Sequence, residues 1–394
     1  MTTSAAERRR WRGTAAIAGV GYTELSKNSG TTTANLAVRA IVAAVRDAGL
    51  ALSDIDGIAT HHVGDCVYLG DIVAMLGLRE VTWFHDEFGG GGKAPAVVGQ
   101  AALACASGAA RHVVVYRALN GRSGMRMGGS GSDRPITSTE LQYQRPYGIL
   151  APAQNYAMAA QQHMSRYGTT SEHLGAVAVQ QRDNAALNPR ALLRTPITLA
   201  DYFASRMITE PFRLLDCCLE TDGACAVVVT TAERANDLRQ PPVGIRGWAW
   251  AIGANDFSNS DGDLTRTPAG IVARDLWSMA GVGPEDVDVA ELYDAFSFSV
   301  LVQLEDYGFC AKGDAGPMVA SGATARGGSL PVNTHGGFLS EGYVHGLNHI
   351  CEAVAQLRGQ AGPRQVEGAS VALSTAQPGY LNGMTSAVLL AGAS

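Results

Sequence analysis

A chain of 394 residues is long enough to bury a substantial core, either as two domains or as one large duplicated unit. Hydrophobic residues make up 46% and charged residues 17%, a composition typical of globular rather than disordered proteins. The net charge of -6 argues against nucleic acid as the main partner, and no apolar stretch reaches the ~20 residues that span a bilayer. The 7 cysteines lack zinc-binding spacing and indicate reduced thiols in a cytoplasmic protein.

The first half of the chain alternates predicted strands and helices. A short apolar run at residues 15–22 predicts a buried strand. Apolar residues at helical spacing from about residue 33, with Gly49 at the expected C-cap, predict a helix. Further elements are predicted as a strand at 57–61, a helix at 94–106 and a strand at 112–116. This alternation favours a mostly parallel sheet with helices on both faces.

The sequence contains an internal repeat. Residues 48–50 match residues 280–282, and residues 54–56 match residues 286–288. Both pairs are offset by 232 positions. The apolar strand at 226–229 also has a counterpart at 387–390, near the end of the chain. Matches in the same order indicate a duplicated α/β unit. We therefore predict one half at residues 1–235 and a second at residues 236–394.

The first half is the longer one. We predict that its surplus is an inserted loop domain at about residues 121–211, with residues 124–133 loop-like and residues 156–167 helical. An insertion of this kind often covers a substrate site.

Four glycines at residues 89–92 precede Lys93 and the predicted helix at 94–106. Backbone N–H groups at such a turn could hold an anion, although the spacing to Lys93 does not fit a phosphate loop. A crowded turn, where another group approaches the backbone closely, explains the glycines equally well.

Two other segments carry residue types suited to catalysis. Residues 291–296, which include Tyr293 and Asp294, follow a predicted strand, and α/β enzymes place their chemistry at strand ends. Two glycine-bounded turns at residues 333–337 and 342–346 each carry a histidine. The structural alternatives are a packed aromatic at Tyr293, a helix cap at Asp294 and solvent-facing histidines in the turns.

The order of these motifs resembles the thiolase superfamily, in particular its branch of sterol carrier protein x and lipid-transfer-protein-like enzymes. The resemblance covers nearly the whole chain and rests on residues 214–224, 291–296 and 333–346. It implies a five-layered α/β/α/β/α fold of two βαβαβ halves with an inserted loop domain. In that family the position of Tyr293 carries Asn or His, and a Gly-His-Pro motif stands where this chain has Tyr343.

The thiols of that family are missing here. The resemblance places the nucleophilic cysteine at the start of the helix at 94–106, where the matching residue is Gly91. Cys105 lies at the far end of the helix, where the dipole disfavours thiolate, so we expect it in the core. Residues 374–377 occupy the neighbourhood of the second cysteine. The loss of both thiols argues against Claisen condensation and thiolysis.

The closest resemblance is to actinobacterial steroid side-chain-cleaving aldolases. It implies retro-aldol cleavage of a β-hydroxyacyl-CoA, hydroxylated at a steroid ring carbon, into a ring ketone and a short acyl-CoA such as propionyl-CoA. One of Tyr293 and Tyr343 would then take the hydroxyl proton, and the other, with His335 or His345, would hold the enolate or return a proton. As donors or cations, His335 and His345 would also lower a tyrosine pKa. Asp294 would orient a partner or cap the helix that begins there. Groups expected to bind the substrate or its oxyanion are Gly91, Asn333, Gly336, Gly337, Gly346 and Gly379.

The resemblance also implies partners. We expect a homodimer and a separate OB-fold, zinc-ribbon subunit in an α2β2 complex, with no nucleic acid or membrane partner. No cofactor is expected besides the CoA of the substrate, and His61, His62 and Asp65 lack a known metal-binding pattern. The alternative functions are an acyltransferase subunit working inside a complex and a non-catalytic scaffold that binds acyl-CoA.

Overall fold

The structure, a computed structural model, describes residues 9–126, 128, 139–253, 262–381 and 383–392. Its strands in chain order are β1 (Ala15–Tyr22), β2 (Gly57–His62), β3 (Trp83–Phe88), β4 (His112–Asn120), β5 (Met207–Thr209), β6 (Phe212–Arg213), β7 (Asp222–Thr231), β8 (Val243–Ile252), β9 (Val289–Glu291), β10 (Val371–Thr375) and β11 (Met384–Ala391).

Its α-helices in chain order are α1 (Thr33–Ala48), α2 (Leu69–Leu76), α3 (Ala94–Ser107), α4 (Thr139–Gln144), α5 (Pro152–Tyr167), α6 (Ser171–Ala186), α7 (Leu199–Ala204), α8 (Ala232–Ala235), α9 (Ala269–Ala280), α10 (Ser297–Asp306), α11 (Ala315–Ala320), α12 (Gly337–Ser340) and α13 (Leu347–Leu357).

A mixed sheet forms the framework, with the strand order β3-β2-β4-β7-β1-β8-β11-β10-β9. Strands β3, β2 and β4 run parallel, as do β10 and β9 in the second half. The halves join where β1 and β8 pair antiparallel through Ala16 with Gly244 and Ile17 with Val243. The sequence predicts two related halves, and the structure adds this direct pairing between their first strands.

Helices cover the sheet in layers. Helix α1 packs on β1 and β7, and α9 packs on β8 and β11. Helices α3 and α13 each contact strands of both halves, so they lie between them. The predicted layered α/β fold with helices on both faces is therefore confirmed. The prediction of a mostly parallel sheet is wrong, because the central strands β4, β7, β1, β8 and β11 pair antiparallel.

The helix ends follow the sequence signals. Thr32 accepts a hydrogen bond from the backbone N–H of Asn35 and caps the start of α1. Gly49 ends that helix with a φ of 80°, and Gly281 ends α9 with a φ of 67°. Both glycines take the left-handed conformation that a C-cap requires, which confirms the predicted helix ends.

The sequence repeat corresponds to a repeated structural joint. Asp56 precedes β2 and accepts hydrogen bonds from the backbone N–H groups of Arg111 and His112, at 2.8 and 2.9 Å, at the start of β4. Asp288 precedes β9 and accepts from Ser370 and Val371, at 2.8 and 2.9 Å, at the start of β10. In each half, the repeated aspartate fixes the amino end of one parallel strand to the next.

The predicted insertion contributes helices α5 and α6. Tyr156 of α5 is buried, with its ring centroid 4.8 Å from that of Phe296, and α6 packs against α10, α11 and α12. The insertion is therefore held against the second half of the chain. Residues 127 and 129–138, which include most of the part predicted to be loop-like, lie outside the described residues.

No helix in the described ranges is long and apolar enough to cross a membrane.

The two aspartate joints predict a matched loss of stability. Asp56→Ala and Asp288→Ala should each lower the free energy of unfolding by about 1–3 kcal/mol, because each leaves two strand-end N–H groups without their charged acceptor. Chemical denaturation measures the loss. Arg111→Gln is the control, since it removes only the side-chain contact to Asp56 of a largely exposed arginine and should cost about 0.5 kcal/mol or less. Equal stabilities of all three variants would contradict the claim that the two aspartates fix the strand starts.

Candidate active site

Two tyrosines form the centre of the site. Tyr293 follows β9, Tyr343 follows α12, and their hydroxyl oxygens lie 2.5 Å apart. The rings meet edge to face at a centroid separation of 6.1 Å. Tyr293 is buried, whereas Tyr343 is half-buried. The structure thus brings together the two residues that the sequence predicts to be catalytic, in direct hydrogen-bond contact.

The backbone of Tyr293 is fixed on both sides. Its N–H donates to Thr375 Oγ1 at 3.0 Å, and its carbonyl accepts from Gln303 Nε2 at 2.7 Å. The Thr375 hydroxyl in turn donates to Gln303 Oε1 at 2.5 Å. Thr375, at the end of β10, lies in the segment that matches the second thiolase cysteine. Here that segment positions a tyrosine.

Gly91 is held against the hydroxyl of Tyr293. A Cβ atom at position 91 would overlap this hydroxyl, so any side chain would displace the ring. The carbonyl of Gly91 accepts a hydrogen bond from the Gln377 N–H at 3.0 Å, which fixes the turn. Close approach therefore accounts for the glycine at this position. The phenolic oxygen occupies the space beside the start of α3 in which the family places its nucleophile.

His345 lies next to Tyr343, with 4.8 Å between ring centroids. Its Nδ1 accepts hydrogen bonds from Arg117 Nε at 2.8 Å and from Arg117 Nη2 at 2.6 Å. Burial and the nearby Arg117 cation hold the pKa of His345 well below its usual value. His345 is therefore a neutral imidazole beside the tyrosine pair.

Arg117 is the site residue that the sequence reasoning missed. It lies within β4, is fully buried, and donates from Nη2 to Asp65 Oδ2 at 2.5 Å. The available signal was an arginine inside a strand of apolar residues, because a buried charge requires a partner.

Burial raises the pKa of both tyrosines well above the usual value. For Tyr343, the hydrogen bond with Tyr293 and the Arg117 cation act in the opposite direction, whereas Asp294 raises the pKa of Tyr293 further. The histidines were predicted to lower a tyrosine pKa. His345 is neutral, so the cation near the tyrosines is Arg117, and the role of His345 as a hydrogen-bond donor stays a prediction.

His335 has a different environment from the predicted one. Its Nδ1 lies 2.9 Å from Glu291 Oε2, and its Nε2 lies 3.5 Å from Glu341 Oε2. Burial lowers the pKa of His335, but Glu341 and Glu291 outweigh burial and raise it to about 9. Glu352, which pairs with Arg364 at 2.8 Å, also contributes. His335 is a charged member of a buried ion cluster, and its predicted action on the tyrosines is not supported.

Asp294 caps a helix, although not the helix expected. Its carboxylate accepts from the backbone N–H groups of Phe338 and Leu339, at 2.9 and 3.1 Å, in the short helix α12. Nε2 of His349 lies 3.0 Å from the same carboxylate. Asp294 therefore connects the segment of Tyr293 to the segment that leads into Tyr343.

The residues predicted to bind the oxyanion divide into two groups. Gly346 lies between α3 and Tyr293, since a Cβ there would be 3.4 Å from Ala94 Cβ and 3.8 Å from Tyr293 Cδ2. Gly346 and Gly91 thus border the tyrosine pair. Asn333 belongs to the other group, because its amide is committed at both ends to the backbone of Leu292, at 2.7 and 2.9 Å. Asn333 therefore holds the backbone of Leu292, a role that differs from the predicted role of oxyanion donor.

Three further glycines have structural contacts. The N–H of Gly336 donates to the carbonyl of Asn333 at 2.9 Å, and a Cβ on Gly337 would overlap Asp294. The N–H of Gly379 donates to Gln377 Oε1 at 2.9 Å. Their predicted role as oxyanion donors is not supported by these contacts.

Cys105 is buried, and burial raises its pKa to about 12, in agreement with the predicted core position. Two of the residues considered as metal ligands form ion pairs with different partners. His62 pairs with Asp86 at 3.2 Å, and Asp65 pairs with Arg117.

Comparison with known proteins agrees with this geometry. Residues 254–391 match the family described as thiolase C-terminal domain-like. The chain is 45% identical over 356 residues to the 17-hydroxy-3-oxo-4-pregnene-20-carboxyl-CoA lyase of Mycobacterium tuberculosis, covering 88% of this chain and 92% of that one. It is also 45% identical to the steroid side-chain-cleaving aldolase of Thermomonospora curvata, covering 88% and 91% of the two chains.

A solved structure of an Ltp2-ChsH2(DUF35) aldolase superposes with a TM-score of 0.91 at 43% identity, covering 97% of this chain and 98% of that one. The fold and the tyrosine-lined site together define an enzyme on a thiolase scaffold whose catalytic thiols are gone. The chain belongs to the thiolase superfamily, within its group of steroid side-chain-cleaving aldolases.

The contact at Gly91 predicts that a side chain cannot be restored there. Gly91→Ala and Gly91→Cys should each displace the Tyr293 ring and lower the turnover rate at least as much as removing the Tyr293 hydroxyl. Steady-state kinetics with a cleavable acyl-CoA measures the loss. Gly270→Ala is the control, because its Cβ would meet no atom closer than 3.9 Å. Normal activity of Gly91→Ala would contradict the described packing.

The ion cluster predicts a loss of stability in alkali. Because the pKa of His335 is raised from 6.5 to about 9, its stabilising contribution is complete below pH 6.5 and is lost as the pH rises through about 9. Denaturant unfolding of the wild type and of His335→Gln, compared from pH 6 to pH 10, isolates this contribution. The stability difference should shrink toward pH 10, and a constant difference would show that His335 is uncharged.

Proposed function

We propose that this chain is a retro-aldol lyase that cleaves a β-hydroxyacyl-CoA, carrying its hydroxyl on a steroid ring carbon, into a ring ketone and a short acyl-CoA such as propionyl-CoA. The observation that carries the proposal is the tyrosine pair beside Gly91. A pair of phenols in this place supplies acid–base groups and no thiolate, which suits cleavage without a thioester-linked acyl-enzyme.

The reaction needs one proton removed and one returned. A tyrosine oxygen takes the proton of the substrate hydroxyl, the carbon–oxygen bond becomes a carbonyl, and the adjacent carbon–carbon bond breaks. Its electron pair passes to the thioester as an enolate. The tyrosine pair then gives a proton to the enolate carbon, which yields the acyl-CoA and restores the starting protonation of the two tyrosines. No oxidant or reductant is consumed.

Tyr343 is the tyrosine better placed to ionise. It is the more exposed of the two, and Arg117 and the hydrogen bond with Tyr293 favour its anion. An O–H···O⁻ bond of about 2.5–2.7 Å is typical of a charge-assisted pair, and the 2.5 Å separation of the two hydroxyls suits such a shared proton. As a phenolate, Tyr343 would accept the substrate proton. Tyr293 would stabilise this phenolate through the hydrogen bond between the two side chains.

The relatives support the substrate class. One is named for a steroid carboxyl-CoA lyase activity and another for steroid side-chain cleavage. The proposed cleavage requires no cofactor besides the CoA of the substrate, and we place the reaction in the cytoplasm, where acyl-CoA substrates are available.

Loss of either hydroxyl should greatly reduce cleavage. Tyr293→Phe and Tyr343→Phe should each lower the single-turnover rate by roughly 10²–10⁴-fold, the usual effect of removing a positioned acid or base. The losses should be less than additive in the double variant, because the two hydroxyls act as one hydrogen-bonded unit. Release of ketone and acyl-CoA, followed by mass spectrometry, provides the measurement.

Tyr307→Phe is the matched control. Tyr307 is equally buried, and its hydroxyl has no hydrogen-bond partner among the described residues. This variant should cleave at the wild-type rate. Near wild-type cleavage by both site variants would contradict the assignment, and a wild type that binds the acyl-CoA without cleaving it would favour a non-catalytic scaffold.

We further propose a homodimer formed through the edge of the sheet at β3. This strand ends the sheet, and Phe84 and Phe88 project from the same side of it with exposed fractions of 68% and 61%. Asp86 lies between them on the same face, so this edge strand offers backbone groups and two separate phenylalanine rings to a second copy.

Charges on this edge should separate the protomers. Phe84→Asp combined with Phe88→Asp should halve the mass measured by light scattering, because two carboxylates would face their copies across the pairing strands. Leu199→Asp on α7, 41% exposed, is the control and should leave the mass unchanged. A wild-type chain that is monomeric and active would contradict the proposed dimer.

A second partner is proposed from the name of the solved relative, which combines an Ltp2 chain with a ChsH2(DUF35) chain. We propose that an OB-fold, zinc-ribbon subunit binds each protomer and gives an α2β2 complex. Co-expression with such a subunit followed by light scattering would show the added mass, and failure to co-purify would exclude it.

A further inference from the structure

Each of the three guanidinium nitrogens of Arg117 makes a hydrogen bond. Nε and Nη2 converge on His345 Nδ1, Nη2 also donates to Asp65, and Nη1 donates to the carbonyl of Ala118 at 2.7 Å. The side chain of Arg117 is 0% exposed and that of Asp65 is 4% exposed. A buried guanidinium with this set of partners has one orientation, so His345 meets a rigid donor.

This arrangement determines the tautomer of His345. Two N–H groups point at Nδ1, so Nδ1 must be an acceptor without a proton. The single proton of the neutral ring is therefore on Nε2. A protonated imidazole would place an N–H directly against the N–H groups of Arg117.

The proton-bearing nitrogen faces the glycine turn at residues 89–92. A Cβ on Gly90 would lie 3.7 Å from His345 Nε2, closer than to any other atom of that ring. Gly90 is followed by Gly91, whose contact with Tyr293 was described above. His345 itself has a φ of 52°, a left-handed conformation that is uncommon for a residue other than glycine.

We propose that Arg117, anchored by Asp65, is a positioning residue that holds His345 as the Nε2–H tautomer, and that this N–H is a neutral hydrogen-bond donor for the thioester oxygen of the substrate. The inference rests on the proposed cleavage, because the enolate formed when the carbon–carbon bond breaks develops its charge on that oxygen. A preorganised donor there acts on the transition state more than on the bound substrate.

The surroundings keep the donor neutral. The groups that face His345 are Arg117 from β4, Tyr343 from its own segment, and His61 from the end of β2, at 6.0 Å between ring centroids. Burial and Arg117 also lower the pKa of His61. Asp65 is the negative group, and its carboxylate is bound to Arg117. The donor therefore keeps its proton and stays uncharged through the neutral pH range.

The test is a double-mutant cycle on the intact protein with its partner subunit, using a β-hydroxyacyl-CoA and single-turnover kinetics. Arg117→Gln and His345→Asn should each lower the cleavage rate by about 10²–10³-fold, the usual loss for one oxyanion donor. Asparagine tolerates the left-handed backbone at position 345. The double variant should lose no more than His345→Asn alone, because Arg117 acts through His345. Acyl-CoA binding by calorimetry should change less than threefold.

A second variant separates positioning from folding. Asp65→Asn combined with Arg117→Gln removes both buried charges and should melt closer to wild type than Arg117→Gln alone, yet cleave as slowly. Arg111→Gln, at the opposite end of β4, is the control and should keep wild-type cleavage, since this side chain is 61% exposed.

The outcomes are distinct. Near wild-type cleavage by Arg117→Gln, or fully additive losses in the double variant, would overturn the inference while an active wild type upholds the proposed function. A recovered rate in the charge-neutral double variant would show a purely structural role and would also overturn it. An inactive wild type would overturn the proposed function and the inference together.

Discussion

The contact between Gly91 and the hydroxyl of Tyr293 is the constraint on which the site depends. A Cβ atom at position 91 would overlap the Tyr293 hydroxyl at the start of α3, so a change at either residue requires a change at the other. The second hydroxyl, on Tyr343, is the hydrogen-bond partner of this buried phenol. Thr375 and Gln303 then keep the tyrosine backbone in register with the turn. The loss of the thiol and the gain of the tyrosine are one structural change.

Two histidines in neighbouring turns show how the fold sets the charge of a side chain. His345 faces a guanidinium and is neutral, whereas His335 faces carboxylates and is charged. Both are fully buried, so desolvation acts on both in the same direction, and the sign of the nearest charge decides the outcome. One histidine is therefore a neutral ring beside the tyrosine pair, and the other balances buried glutamates away from it.

Much of the fold could be predicted from the sequence, because its signals are local. Gly49 and Gly281 mark helix ends, and the repeated aspartates mark equivalent strand starts. The tyrosine pair was predicted from the resemblance. The charge states of the histidines could not be predicted, since Arg117 and His345 are 228 positions apart, and nothing local distinguishes one glycine-bounded histidine from the other. Asp294 was expected to cap the helix beside it, but it caps one 44 positions away.

The duplicated joints at Asp56 and Asp288 lie at the amino ends of the parallel strands, while the tyrosines, Thr375 and the glycine turn lie at the carboxyl ends. The residues that fix the strand register and the residues of the candidate active site therefore lie at opposite ends of the parallel strands. A substitution among the residues at the carboxyl ends leaves the contacts of the two aspartates in place, because those contacts lie at the amino ends. The same separation leaves room for protein engineering, because a new set of reacting groups can be introduced at the carboxyl edge while the register of the strands is kept.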